Sequence, residues 1–152
     1  MRKIPQLDDL THYKTWWLVG RVDAKCQHLL TTGLNEVGLS VAKYEVLHAI
    51  YRDEGLSQQT LARRLLVAKS NVTALSQRLE ADGLIRRERD PADGRGHCVY
   101  LTDAGREIVE QAVPIQAEVV ELMAKGLTGE QAEMLDEIMS RAEENLDLAM
   151  SR

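Results

Sequence analysis

The spacing of apolar residues in the first part of the chain predicts a long amphipathic helix. From Leu10 to about Thr32, apolar side chains return at roughly helical spacing and no proline interrupts them. Gly33 and the loop at 35–39 are expected to end this helix, since glycine commonly terminates helices. The chain is therefore expected to begin with a polar arm, residues 1–9, followed by one long helix.

Two serines mark the starts of the next two helices. Ser40 precedes an apolar-periodic segment at 41–51, and Ser57 precedes a shorter one that extends to about Leu66. A serine side chain can accept a hydrogen bond from an otherwise unpaired amide in the first turn, which makes serine a favoured N-cap. We therefore predict two short helices, separated by the turn-forming residues 53–55.

The segment from about Lys69 to Asp82 predicts a helix with two contrasting faces. Three apolar residues recur at i, i+3 and i+7 and are expected in the core: Val72, Leu75 and Leu79. A second face is small, polar and free of acidic residues: Ser70, Thr73, Ala74 and Gln77. Such a face suits close approach to another molecule.

Two short strands and two long helices are predicted after this helix. Residues 84–89 and 97–101 have the composition of strands, and the segment between them is rich in turn-forming residues, which is typical of a hairpin. Thr102 can cap a helix over about 103–124, and Thr128 opens the last helix with a capping-box sequence. The pattern predicts a mainly α fold with a small β-hairpin.

Charge is distributed unevenly along the chain. The formal net charge is -5, but residues 57–100 hold eight Lys/Arg and five Asp/Glu, a balance of +3. Residues 101–152 hold four basic and twelve acidic residues, a balance of -8. A surface that contacts nucleic acid needs local positive charge, so the central segment is the candidate for such a surface.

Length and composition favour one cytoplasmic domain. With 152 residues, 44% of them hydrophobic, the chain can bury a core. No apolar run approaches the roughly 18 residues that span a bilayer, and the acidic start does not resemble a signal peptide. The two cysteines lack CxxC spacing, which fits a reducing compartment. We expect a single domain over 1–152 that does not contact a membrane.

Motifs of catalysis and cofactor binding are not found in the sequence. It contains no Gly-rich phosphate loop, no nucleophile elbow and no paired-carboxylate motif. The four histidines do not have the spacing of metal ligands in HxxxH or HExxH motifs. We therefore expect neither an enzyme nor a metal site, and no cofactor.

Several motifs of the central segment resemble those of one protein family. LEADGLI, DPADGR and LTDAG occur in this order, preceded by the predicted helix LSVAKYEVLHAI. This combination is similar to the MarR-type winged helix-turn-helix transcriptional regulators. The resemblance implies a winged helix-turn-helix at about 40–101, flanked by dimerisation helices at about 10–33 and 103–150. It also implies a homodimer that binds a palindromic operator in double-stranded DNA.

The resemblance assigns DNA contacts to the helix near 69–82, which we call the reading helix, and to the tip of the hairpin wing. Amides can recognise adenine, and hydroxyl groups can reach bases or phosphates. In the wing, Arg95 would enter the minor groove while Asp93 holds its guanidinium. The predicted contacts are Lys69, Ser70, Asn71, Thr73, Gln77, Arg78, Asp93 and Arg95. Ala74 departs from the family, in which many members have arginine.

The resemblance further implies a repressor that a small aromatic or phenolic ligand releases from DNA. Five of the six aromatic residues lie in the first two predicted helices, where they could form an aromatic pocket, with Arg21 as a partner for a carboxylate. The predicted lining is Tyr13, Trp16, Trp17, Arg21, Tyr44, His48 and Tyr51. The alternative is that these side chains serve core and dimer packing.

Two further interpretations remain open from the sequence. Cys26, close to His28 and Lys25, could be a redox-sensing thiol, as in some relatives, or a buried packing residue. The net negative charge and Ala74 also allow an interaction protein that keeps the fold but does not bind DNA. The local positive charge and the acid-free face of the reading helix favour the DNA-binding interpretation.

Overall fold

The computed structural model describes residues 6–7, 10–89 and 96–151, and these form two compact units, Met1–Val119 and Val120–Arg152. Secondary structure follows the mainly α class predicted from the sequence. The helices are α1 Tyr13–Glu36, α2 Val41–Arg52, α3 Gln58–Arg64, α4 Lys69–Ala81, α5 Asp103–Ala124 and α6 Gly129–Met150. The strands are β1 Leu56–Ser57, β2 Ile85–Arg89 and β3 His97–Leu101. Among the described residues, no helix is long and apolar enough to cross a bilayer.

The predicted end of the first helix was wrong. Gly33 lies inside α1, which continues to Glu36 and ends before Gly38, whose φ of +74° suits glycine. The reason is packing, since a Cβ atom at Gly33 would overlap Cγ2 of Ile115 in α5. Glycine at this position permits the close approach of two helices and does not terminate one. The predicted start was also early, because α1 begins at Tyr13.

The four hydroxyl caps predicted from the sequence are confirmed, for α2, α3, α5 and α6, and at α5 the Thr102 hydroxyl accepts from the amide of Gly105 at 3.0 Å. The Ser40 hydroxyl accepts from the amide of Lys43 at 3.3 Å, and that of Ser57 accepts from Thr60 at 3.1 Å. Thr128 forms the reciprocal capping box, accepting from the Gln131 amide while the Gln131 side chain accepts from the amide of Thr128. These caps fix where the helices begin.

The hairpin is part of a three-stranded antiparallel sheet in the order β1-β3-β2. The sequence pattern does not predict β1, because a strand of two residues shows no alternation of polar and apolar positions. Leu56 of β1 pairs with Val99 of β3, and Ile85 of β2 pairs with Leu101. All four side chains are buried, so the sheet closes one side of the core.

The core lies between α1, α2, α3, α4, the sheet and α5. Its largest fully buried side chains include Tyr44, Leu47, Ile50, Leu61, Leu79 and Val109. In α4, Val72 and Leu79 are buried as predicted, whereas Leu75 is only partly buried. The next residue, Ser76, is fully buried. The buried face of α4 therefore includes Ser76, and not Leu75 as the apolar pattern predicts.

We expect Gly33→Ala to destabilise the protein, although alanine is the better helix former. Alanine gains about 1 kcal/mol in helix propensity, but forcing a methyl group against Ile115 costs about 1–3 kcal/mol of overpacking. The free energy of unfolding, measured by urea denaturation at constant protein concentration, should fall. In an Ile115→Ala background the same substitution should be neutral or stabilising, and an equal loss in both backgrounds would contradict the packing argument.

Candidate nucleic-acid interface

Helices α3 and α4 form a helix-turn-helix whose inner faces are buried together. Leu61 and Ala62 of α3 and Val72 of α4 are among the buried residues. The turn contains Leu66, whose φ of 53° is rare for a residue with a side chain, and the amide of Val67 donates to the carbonyl of Ala62 at 3.0 Å. This packing leaves the opposite face of α4, the reading helix, outside the core.

The outer face of the reading helix carries most of the predicted contact residues. Ser70, Asn71, Ala74 and Gln77 are exposed, and Thr73 is partly exposed. Lys69 and Arg78 are exposed near the two ends of the helix, and neither takes part in an ion pair between described residues. The structure thus brings the predicted small and polar residues together with two cations that are available to phosphates.

Two buried polar residues beneath this face were missed by the sequence analysis. Gln58, the first residue of α3, is only 8% exposed, and Ser76 of α4 is fully buried. The Thr73 hydroxyl lies 3.3 Å from Gln58 Oε1 and 2.9 Å from the carbonyl oxygen of Lys69. A polar residue directly after a helix cap is normally exposed, so no local pattern signalled the burial of Gln58.

The arginines of β2 have different environments. Arg87 Nε donates to Glu80 Oε2 of the reading helix at 2.7 Å, and this hydrogen bond lowers the pKa of the Glu80 carboxyl. Arg86 pairs with Glu88 and stacks over Tyr100, with its guanidinium carbon 4.5 Å from the ring centroid. The hydrogen bond between Arg87 and Glu80 joins the wing to the reading helix and so fixes the orientation of the wing relative to that helix.

Ion pairs with carboxylates neutralise several arginines and so limit which cations can contact another molecule. Arg64 pairs with Asp53 at 2.9 Å, and Arg86 and Arg87 pair with glutamates. Between described residues, no ion pair involves Arg63, Lys69, Arg78 or Arg89. Of the basic residues that the structure describes in the segment 57–100, the unpaired ones therefore lie in the helix-turn-helix and at the end of β2. Asp93 and Arg95, the predicted wing-tip contacts, are outside the described residues.

Several of the predicted ligand-pocket residues contact aromatic or charged neighbours in the same helix. In α1, the Tyr13 and Trp16 rings stack at 5.9 Å, and the Arg21 guanidinium lies 4.6 Å from the Trp17 ring centroid. In α2, the rings of Tyr44 and His48 stack at 5.4 Å. A shallow depression of about 570 Å³ at the start of α1 is lined by Leu7, Leu10, Thr11, His12, Tyr13 and Trp16.

The α2 members of the predicted pocket are engaged with the protein itself. Tyr44 is 1% exposed, and its hydroxyl donates to Gln116 Oε1 at 2.5 Å. Burial, together with the charge of Arg52, lowers the pKa of His48. Tyr51 lies beneath Arg106, whose guanidinium carbon is 5.5 Å from the ring centroid. Core packing thus accounts for Tyr44, whereas Trp16 and Trp17 of α1 remain exposed.

The two cysteines are both associated with the core. Cys26 of α1 is partly buried and packs against the hydrophobic cluster, and Cys98 of β3 is buried. A thiol in such a position is less accessible to oxidants than a surface thiol. Oxidation of Cys26 as a signal stays a prediction from the resemblance alone.

A helix-turn-helix followed by a hairpin wing, with available cations around an acid-free helix face, defines the winged-helix class of DNA-binding proteins. The sequence profile of the MarR family matches residues 37–96. The chain is 34% identical to the transcriptional regulator HosA of Escherichia coli O111:H-, over 68% of this chain and 76% of HosA. The protein belongs to the MarR family of transcriptional regulators.

Two further relatives match most of the chain. The uncharacterized HTH-type transcriptional regulator YdgJ of Bacillus subtilis is 28% identical over 95% of this chain and 94% of YdgJ. A mutant of Escherichia coli MarR, solved in complex with operator DNA, has a TM-score of 0.77 and 26% identity, over 88% of this chain and 98% of that one. The similarity therefore extends beyond the winged module to the flanking helices.

Proposed function

We propose that the protein is a homodimeric repressor that binds a palindromic operator and that a small aromatic ligand releases it. One observation carries the DNA-binding part of this proposal: the exposed face of the reading helix has no acidic residue and is flanked by the available cations Lys69 and Arg78. Bound across a promoter, such a dimer would obstruct transcription. The similar MarR of Escherichia coli, solved with operator DNA, supports the same mode of binding.

Each contact residue is assigned a role from its chemistry. Gln77 and Asn71 carry amides that can bond adenine in the major groove, and Ser70 can reach a base or a phosphate. Lys69 and Arg78 are assigned to phosphates, because both cations are exposed and stand near the ends of the helix. In the wing, Arg95 is proposed to enter the minor groove with Asp93 beside it. Base readout and phosphate contact are thus assigned to different side chains.

An interaction protein without DNA binding is the alternative from another functional class. Its motivation is the net charge of -5 and the alanine at position 74. Against it stand Lys69 and Arg78 of the reading helix, which form no ion pair between described residues, while the acids Asp53, Glu80 and Glu88 pair with other arginines. A surface that contacts no phosphate would not need cations that are kept apart from carboxylates.

We expect the protein to bind a palindromic fragment selected from genomic DNA, with an affinity that falls steeply as salt rises. Arg78→Ala and Arg95→Ala should weaken binding to all sequences and reduce the salt dependence, because they remove cations. Gln77→Ala should cost about 1–3 kcal/mol mainly at one base position. Fluorescence anisotropy at several salt concentrations measures both effects.

Arg141→Ala is the matched control, since it removes an arginine of α6 outside the winged module. It should leave operator affinity unchanged. Binding that does not respond to salt, or the absence of binding to any fragment, would favour the interaction protein over the repressor.

Dimerisation through the terminal helices is supported by their exposed apolar residues. In α6 no residue is buried, and Leu135, Ile138 and Met139 are exposed. In α1, Trp16 is 69% exposed, and Trp17 is also exposed. Soluble monomers rarely present so many large apolar side chains along a helix, whereas a second copy of the chain could cover them. Two reading helices about 34 Å apart would then match one turn of DNA.

We expect Ile138→Asp to convert the dimer to a monomer and to weaken operator binding strongly, because a carboxylate in an apolar interface is costly to bury. Ser140→Asp adds the same charge to the same helix at a polar position and serves as the control. Sedimentation velocity should detect the change in mass only for the first variant. A monomeric wild type, or dissociation by both variants alike, would contradict the proposed interface.

The ligand part of the proposal is based on α1. The Arg21 guanidinium over Trp17 places a cation beside an exposed indole ring, which suits the carboxylate and the ring of an aromatic acid. Tyr13 and Trp16 offer a second stacked pair one turn earlier. Oxidation of Cys26 is the alternative signal, and its position against the core gives it less support.

We expect benzoate-type acids to quench tryptophan fluorescence and to release the protein from its operator. Arg21→Ala should weaken this response by about tenfold, because a charge-assisted contact contributes more than 1 kcal/mol. Lys25→Ala removes another cation of α1. Benzoate-type acids should quench the fluorescence of this variant and release it from the operator as they do for the wild type. Release by these acids that is unchanged in Arg21→Ala would disprove this assignment of the ligand site.

A further inference from the structure

The side chain of Thr73 on the reading helix is held from inside the protein. Its hydroxyl lies 2.9 Å from the carbonyl oxygen of Lys69, one turn earlier, and 3.3 Å from Oε1 of Gln58 on α3. The Gln58 side chain is 8% exposed, so its amide belongs to the interface between the two helices and not to the surface. Thr73 itself is partly exposed on the outer face of the reading helix.

The proton count decides how these groups are paired. A threonine hydroxyl has one proton and can donate to only one of the two oxygens. Gln58 Nε2 is buried and has no acceptor among the described residues. If the amide is turned by 180°, Nε2 donates to the Thr73 hydroxyl, while the hydroxyl donates to the Lys69 carbonyl. In this arrangement both short contacts are hydrogen bonds, and the hydroxyl has no proton left for DNA.

A fixed hydroxyl determines which group Thr73 presents to other molecules. The Cβ atom of threonine carries one hydroxyl and one methyl group, and its χ1 angle is restricted. With the hydroxyl held by Gln58 and Lys69, the methyl group is the part of the side chain that remains for an external contact. A methyl group cannot hydrogen bond to a base, but it can pack against the 5-methyl group of thymine.

We propose that Gln58 is a positioning residue that holds the Thr73 hydroxyl inward, so that the reading helix selects a thymine through the Thr73 methyl group. The neighbouring Ala74 is exposed and small, so it lets the helix approach the bases closely enough for this contact. This inference rests on the proposed DNA-binding function and adds to it a base preference at one position of each half-site. Thr73 thereby differs from Ser70 and Gln77, whose polar groups are exposed.

The test replaces thymines of the selected operator one at a time by deoxyuridine, which removes only the 5-methyl group. For the wild type, one replacement per half-site should weaken binding by about fourfold, the effect of leaving one methyl group unburied. Thr73→Ser keeps the hydroxyl and loses the methyl group. The affinity of this variant for the operator should therefore not change when that thymine is replaced by deoxyuridine. Thr73→Val keeps a methyl group in either place and should respond like the wild type.

Gln58→Met tests the positioning role, because methionine has a similar shape but no hydrogen-bonding group. The Thr73 side chain, no longer held by Gln58, should then rotate. The loss of affinity caused by deoxyuridine should become smaller, while the midpoint of thermal unfolding stays near that of the wild type. Combining Gln58→Met with Thr73→Val should restore the response, since valine needs no partner to present a methyl group. Ser76→Ala, another change of a buried polar residue in α4, should leave the response intact.

The methyl contact of Thr73 and the positioning role of Gln58 can be overturned separately. If no deoxyuridine position depends on Thr73, the methyl contact does not exist, although specific binding and the proposed function would stand. If Gln58→Met folds and retains the wild-type response, Gln58 does not position Thr73. If Gln58→Met does not fold, the Thr73→Ser and Thr73→Val comparison still decides the methyl contact. Absence of any operator binding would remove the proposed function and this inference together.

Discussion

Burial of the inner face of the reading helix is the interaction on which the rest of the site depends. Val72 and Leu79 hold α4 in the core that α2, α3 and the sheet share, and Ser76 between them is also buried. A helix that is fixed on one side presents the same residues on its other side in every molecule, which specific recognition requires. The contact between Arg87 and Glu80 extends this order to the wing, because it connects β2 to the same helix.

Electrostatics complements the packing by determining which surface can approach a polyanion. A chain with a net charge of -5 is repelled from DNA on average. Pairing of Arg64 with Asp53 and of Arg87 with Glu80 uses cations in internal links, whereas Lys69 and Arg78 remain available on the exposed face. The segment 101–152 has a charge balance of -8 and the segment 57–100 a balance of +3, so the central segment is the part of the chain that a polyanion attracts most.

Features with a local physical cause could be predicted from the sequence, and features with a tertiary cause could not. The Ser40, Ser57 and Thr128 caps depend on residues within one turn, and all three were predicted. Gly33 was misinterpreted because its partner, Ile115, is 82 residues away in the sequence. For the site, the exposed face of α4 followed from helical periodicity, whereas the buried amide of Gln58 depends on how α3 packs against α4.

One residue that escaped prediction, Gln58, contacts a side chain of the outer face, that of Thr73. A sequence pattern identifies Thr73 as a polar residue, and a polar residue on such a face would be expected to donate a hydrogen bond. The internal contacts of its hydroxyl reverse this expectation, since they leave only an apolar group for the outside. Under the proposed role of Gln58, base preference would depend on the interface between the two helices as well as on the exposed residues. A buried position such as Gln58 would then change specificity without touching DNA, through the rotamer of Thr73.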